Sequence, residues 1–92
     1  MRNFDLKQYA PIISDEITGD SILREIQGIL QTEDVICIDM KDIKSMATFC
    51  AKQIFGRLYS DLGQEDFFNR IEIKNATENV KTIIRIGIES IL

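Results

Sequence analysis

The sequence predicts a small α/β domain, a mixed β-sheet carrying helices in the order β-β-α-β-α-β-α. Three observations predict it. The run Val35–Met40 (VICIDM) is nearly continuous apolar and β-branched, the pattern of a strand in the middle of a partly parallel sheet, covered on both faces. Arg70–Lys74 (RIEIK) alternates strictly, with Ile71 and Ile73 on one side, so that strand has one wet face. Around these two strands lie segments whose apolar residues recur at helical spacing. Helices crossing between roughly parallel strands favour one sheet over separate layers.

Taken in order, Asn3–Lys7 alternates weakly, with Phe4 and Leu6 on one face. Tyr9-Ala10-Pro11 breaks it, because proline lacks a donor and restrains the residue before it. Ile12 and Ile13 read as a second short strand, and the two are expected to form a hairpin at the sheet edge, where Pro11 is tolerated. Ser14–Asp20 reads as a polar loop punctuated by Gly19, with Asp20 or Ser21 capping the next helix. Along Ser21–Gln31, Ile22, Leu23, Ile26, Ile29 and Leu30 mark one helical face; Gly28 lies off it. After the Val35–Met40 strand, Asp42 opens a loop and Ile43 tucks back onto the core. A helix from Thr48 turns Ala51, Ile54, Phe55, Leu58 and Leu62 inward, and Lys52, Gln53 and Arg57 outward. Gly63 is placed for a left-handed C-terminal cap, and Gln64–Phe68 adds a helical turn. Asn75 and Glu78 stand in capping-box register for a last helix, buried along Val80, Ile83, Ile84, Ile88 and Ile91.

A chain of 92 residues fits one domain, residues 1–92. Its net charge of −4 disfavours non-specific nucleic-acid binding and attraction to anionic membranes. No apolar run approaches the roughly 20 residues needed to span a bilayer. The N-terminus shows no apolar signal-peptide core, so a cytoplasmic address is expected. Histidine is absent, and Cys37 and Cys50 form no CxxC pair. That disfavours a zinc site and excludes a serine– or cysteine–histidine arrangement. Both cysteines are expected to be buried, reduced thiols. The five glycines are scattered, so there is no phosphate-binding loop.

The segment IDMKDIKSMATFCAKQIFGRLYSDLG, followed by RIEIKN, resembles the STAS domain, and more closely the bacterial STAS-like family of small domains. The matching positions are Ile38-Asp39-Met40 at a strand end, Thr48-Phe49 at a helix start, and Ile71 with Asn75 at a later strand end. SDEITGDSILREI resembles the family's polar loop and first helix, so the resemblance runs from about Ile12 to the C-terminus. It implies the architecture of the anti-sigma factor antagonists and a role in partner switching. A serine or threonine at the start of the helix after the central strand is phosphorylated there by an ATPase-type kinase. The corresponding residue is Thr48, with Ser45 as a second candidate; the family's usual Asp-Ser-Ser reads Ala47-Thr48-Phe49 here. The resemblance implies an ATPase-type kinase or an anti-sigma-like protein as partner. The docking surface would comprise Lys41, Asp42, Lys44, Met46, Phe49, Lys52 and Gln53.

Chemistry at a helix start makes such a switch reasonable, because free backbone N–H groups and the helix dipole favour an anion. Thr48 or Ser45 would equally serve as a plain N-cap. The expected function is therefore a regulatory protein-interaction module without catalysis, cofactor or metal. One rival is a structural subunit that homodimerises through the last helix, where Ile86 lies off the buried stripe; Ile17 is a further candidate contact. A second rival is a receiver-like phosphoacceptor built on Asp39 with Asp42, although those carboxylates also suit loop solvation and turns.

Overall fold

The structure is a computed structural model that describes residues 1–92. Its main sheet has three strands in the order β1 (Arg2–Asp5), β3 (Ile36–Asp39), β5 (Ile71–Lys74). Two short strands, β2 (Ile12–Ile13) and β4 (Ser45–Met46), make a separate pair. Every pairing is parallel, so the expected mixture of directions is replaced by parallel ladders. The expected hairpin between the first two strands is absent. β1 pairs with β3, and β2 leaves the turn at Tyr9–Pro11 to pair with β4, its entry set by Pro11 O accepting the Lys44 N–H at 2.7 Å.

Helix α1 runs Glu16–Leu30, starting five residues before the expected Ser21. Asp15 is its N-cap: Asp15 Oδ1 accepts the Thr18 N–H at 3.0 Å, and the Thr18 hydroxyl donates to Oδ2 at 2.6 Å. Gly19 is therefore no punctuation. It lies buried inside the helix, where a Cβ would overlap the side-chain amide of Gln53.

After β4 the chain coils continuously through α2 (Thr48–Ala51), a π-helical turn (Lys52–Gly56) and α3 (Arg57–Leu62), making one helical rod over 48–62. Gly63, at φ +84°, ends the rod and starts α4 (Gln64–Arg70), a conformation that glycine adopts without a Cβ clash. The last helix, α5 (Glu78–Glu89), is capped by Thr77, whose hydroxyl accepts the Val80 N–H at 3.1 Å. The expected capping residue, Asn75, instead sits at φ +62° and turns the chain out of β5. The observed order thus adds β4 and α4 to the predicted one.

Phe4, Ile36, Ile38, Ile71 and Ile73 face the helices. The first four, with Ile22, Ile26, Ile54, Phe55 and Val80, belong to a core cluster of 20 buried residues, and half-buried Ile73 packs against its edge. The other face is open: Asn3, Asp5, Glu72 and Lys74 are all exposed. β3 is therefore covered by helices on one face only, against expectation. Cys37 points to the open face and is still buried, because Asn3 and Glu72 flank it in register. The continuous apolar run reflects a central strand screened by its neighbours rather than a second layer.

Candidate functional site

All the ladders being parallel, the strands end at one end of the molecule and the rod and α5 begin there. That end is where an α/β sheet presents its loops to ligands and partners. Asp39 closes β3 and is tied down. Asn75 Nδ2 donates to Asp39 Oδ1 at 3.0 Å, and the Lys41 N–H donates to the same oxygen at 3.0 Å. The Asn75 hydrogen bond, helped by the Lys41 N–H and the positive charges of Lys74 and Lys41, holds the Asp39 carboxyl below the usual carboxylate range. Asp39 and Asp42 do not converge with a third acidic group. The aspartate therefore clasps two strand ends, tying the Ile-Asp-Met segment to the Ile…Asn segment that the backbone ladder already sets side by side.

Thr48 is exposed, at the first helical position of the rod. The cap residue is Ala47, which offers no side-chain hydrogen bond, so neither Thr48 nor Ser45 is the N-cap. Cys50 and Ala51 N–H groups both reach Ala47 O, at 3.0 and 3.1 Å. Phe49, next to Thr48, is 50% exposed, a large ring left in water at the opening of the helix. Lys52 lies one helical turn beyond Thr48, exposed and without an ion-pair partner.

The structure divides the remaining sequence-derived candidates. Lys41, Asp42 and Lys44 are exposed on the loop, as a docking surface requires. Met46 is not available: its side chain is 2% exposed, drawn into the core by the parallel pairing of Ile13 with Met46. Ser45 is half-buried in β4 beside Ile12. Gln53 is half-buried too, and its Nε2 donates to Glu16 O at 3.0 Å, so it ties α1 to the rod rather than facing outward.

That tie has a consequence for the surface. Gln53 and the Cys50 thiol, which donates to Asp15 O at 3.5 Å, lock the first turns of α1 and the rod together. Burial, with the nearby Asp15 charge, pushes the Cys50 thiol up in pKa, away from reactivity. Phe49 forms a wall shared by two neighbouring recesses. A recess of about 310 Å³ is lined by Glu16, Phe49 and Gln53. A longer groove of about 520 Å³ runs past Phe49, Lys52 and Arg57 toward Ser60. Ile17, 80% exposed on the first turn of α1, adds a second apolar contact at this end. Sequence reasoning noticed Ile17 but placed it in a loop. The Asp15-x-x-Thr18 spacing was the available signal that it belongs to a helix.

A comparison with curated proteins and with solved structures returns no match for the chain. A comparison with family models matches residues 18–81, which span most of α1, β3, the Thr48 loop, the rod, β5 and the start of α5. With that much of the chain matched, including the Asp39–Asn75 clasp and the Thr48 helix start, the chain belongs to the family described as STAS-like domain of unknown function (DUF4325).

Proposed function

We propose that this STAS-like domain is a non-catalytic regulatory module that binds another protein through the loop 41–47 and the opening of the rod, and that phosphorylation of Thr48 switches the binding. The observation that carries this reading is the exposed Thr48 hydroxyl beside half-exposed Phe49, at a helix start with no side-chain cap. Phe49 supplies the apolar anchor that an interface centre needs. Lys52 and Arg57 line the groove beside Phe49, and Lys41 and Lys44 are exposed on the loop, positive groups that suit a partner with acidic side chains. The partner classes that the family resemblance suggests are an ATPase-type kinase and an anti-sigma-like protein.

A phosphate on Thr48 would add about −1.5 to −2 charges next to Phe49. The helix start and Lys52 tolerate that charge locally, so the fold survives it. An apolar partner surface seated on Phe49 does not, because it would have to desolvate the phosphate. Phosphorylation therefore releases the partner.

The test is capture of the partner from the native host by four forms of the chain. The unmodified chain is expected to retain it. Phe49→Ala should weaken capture about tenfold or more, the equivalent of about 1.4 kcal/mol, with an unchanged circular dichroism spectrum. Thr48→Glu should lose it, while Thr48→Ser keeps it. Equal capture by all the variants would refute the reading.

A further inference from the structure

The main sheet ends in an unguarded edge. β5 pairs only with β3, and the register shows which of its backbone groups are spent. The Met40 N–H donates to Lys74 O at 3.0 Å, so Lys74 and, by the alternation of a parallel ladder, Glu72 point their amides and carbonyls at β3. Ile73 lies between them and points its N–H and C=O the other way, off the sheet. Beside this edge runs an apolar groove of about 400 Å³, lined by Phe67, Phe68, Ile73, Ile84 and Ile88. Phe68 stands 64% exposed at its wall, stacked edge-on to Phe67 with ring centroids 5.5 Å apart.

We propose that β5 pairs with β5 of a second copy of this chain, antiparallel and centred on Ile73, to form a twofold dimer with one continuous sheet. The charges favour a second copy as the occupant, and with Arg70 held by the carbonyls of Leu30, Glu33 and Asp34 they favour this register. With Ile73 opposite Ile73, Glu72 of each copy stands opposite Lys74 of the other, giving two complementary pairs on the open face. Shifting the centre to Glu72 sets Glu72 against Glu72 once and Arg70 against Lys74 twice, three like-charged pairs in place of two attractions. Glu72 and Lys74 are exposed, and neither has an ion-pair partner within its own chain. The centred register also matches the backbone, since the outward N–H and C=O of Ile73 meet the same two groups of the second copy as a hydrogen-bonded pair. The Glu72–Lys74 pairs fall at the closer, non-hydrogen-bonded positions, where opposite charges stabilise. The helix-covered sides of the two sheets then run on together, and Phe68 comes under cover. The proposed pairing does not depend on the function of Thr48.

Sedimentation velocity over a series of concentrations tests this with charge reversals. The 92-residue chain is expected to sediment as a dimer at the upper concentrations. Glu72→Lys alone and Lys74→Glu alone should each be monomeric, with unchanged circular dichroism. An equimolar mixture of those two variants should recover the dimer, since each lysine pair then meets a glutamate pair. A wild-type chain that stays monomeric would overturn the proposal. So would a dimer that survives either reversal, which is the result expected of contact through Ile86 instead, or a mixture that fails to associate.

Discussion

Asp39 illustrates how much one side chain settles at the strand-end side of this fold. Its oxygen is shared by Asn75 Nδ2 and the Lys41 N–H, so the charged form is favoured in the folded chain. A carboxyl lowered by folding contributes stability above its unfolded pKa and loses it as pH falls through its folded pKa. The Asp39 contribution is therefore intact at neutral pH and disappears below the ordinary carboxylate range. Asn75→Gly keeps the left-handed backbone but removes the amide. In an NMR titration, the Asp39 carboxyl of that variant should move up toward the ordinary carboxylate value; an unmoved titration would show that the amide is not what holds it. Tyr9 makes the opposite case. Its hydroxyl donates to Glu25 Oε1 at 2.7 Å, and that bond, with burial and the Glu25 charge, pushes its pKa up to about 12. Stability from this pair is present at pH below the ordinary tyrosine value and is lost as pH rises through about 12. Ultraviolet titration of Glu25→Gln should bring that tyrosine back down.

Helix packing shows where glycine is required and where it is only tolerated. A Cβ on Gly87 would lie 2.7 Å from the Ala51 carbonyl carbon and 2.8 Å from the Lys52 nitrogen, both backbone atoms of the rod. Gly87→Ala must push α5 off the rod and should cost about 1–3 kcal/mol in urea unfolding. A Cβ on Gly28, in the last turn of α1, would meet nothing within 4 Å. Gly28→Ala should instead stabilise by up to about 1 kcal/mol. If both substitutions changed stability alike, close packing would not be the reason for Gly87.

The elements were legible in the sequence where a periodic stripe met a core. The Ile22, Leu23 and Ile26 face, the Ile54, Phe55 and Leu58 face, and the Val80 and Ile84 face are all buried as expected. Boundaries and pairings were not. The first turn of α1 is polar, and only the Asp15–Thr18 cap identifies it. β4 is two residues long, too short for any alternation to show, and β2, expected at Ile12–Ile13, pairs with β4 instead of β1. At the candidate site, the family resemblance puts Thr48 and Phe49 on the outside, and both are exposed. Met46 and Gln53 were misplaced because their burial comes from partners distant in sequence, Ile13 and Glu16.

Across the whole molecule, a few long-range polar ties hold the helical layer on the sheet. Arg70, where α4 meets β5, donates from Nη2 to Leu30 O at 2.7 Å and to Glu33 O at 3.2 Å, and from Nε to Asp34 O at 3.0 Å. A cation there satisfies carbonyls at the C-terminal end of α1. Arg70→Ala should lower stability by about 1–2 kcal/mol in denaturant unfolding, and Arg70→Lys should recover only part of it, since one ammonium cannot span all three carbonyls. At the opposite end, Asp15, Cys50 and Gln53 fix α1 to the rod, which leaves Thr48, Phe49 and Ile17 on a preformed surface. A rigid surface favours binding because little order has to be gained on contact.

The most direct test of partner switching at this surface is phosphate mapping by mass spectrometry on the chain recovered from its native host, with the partner-bound and partner-free fractions separated first. The account predicts phosphate on Thr48 in the free fraction and an unmodified Thr48 in the bound fraction. An unmodified Thr48 in both fractions, or phosphate equally present in both, would contradict it.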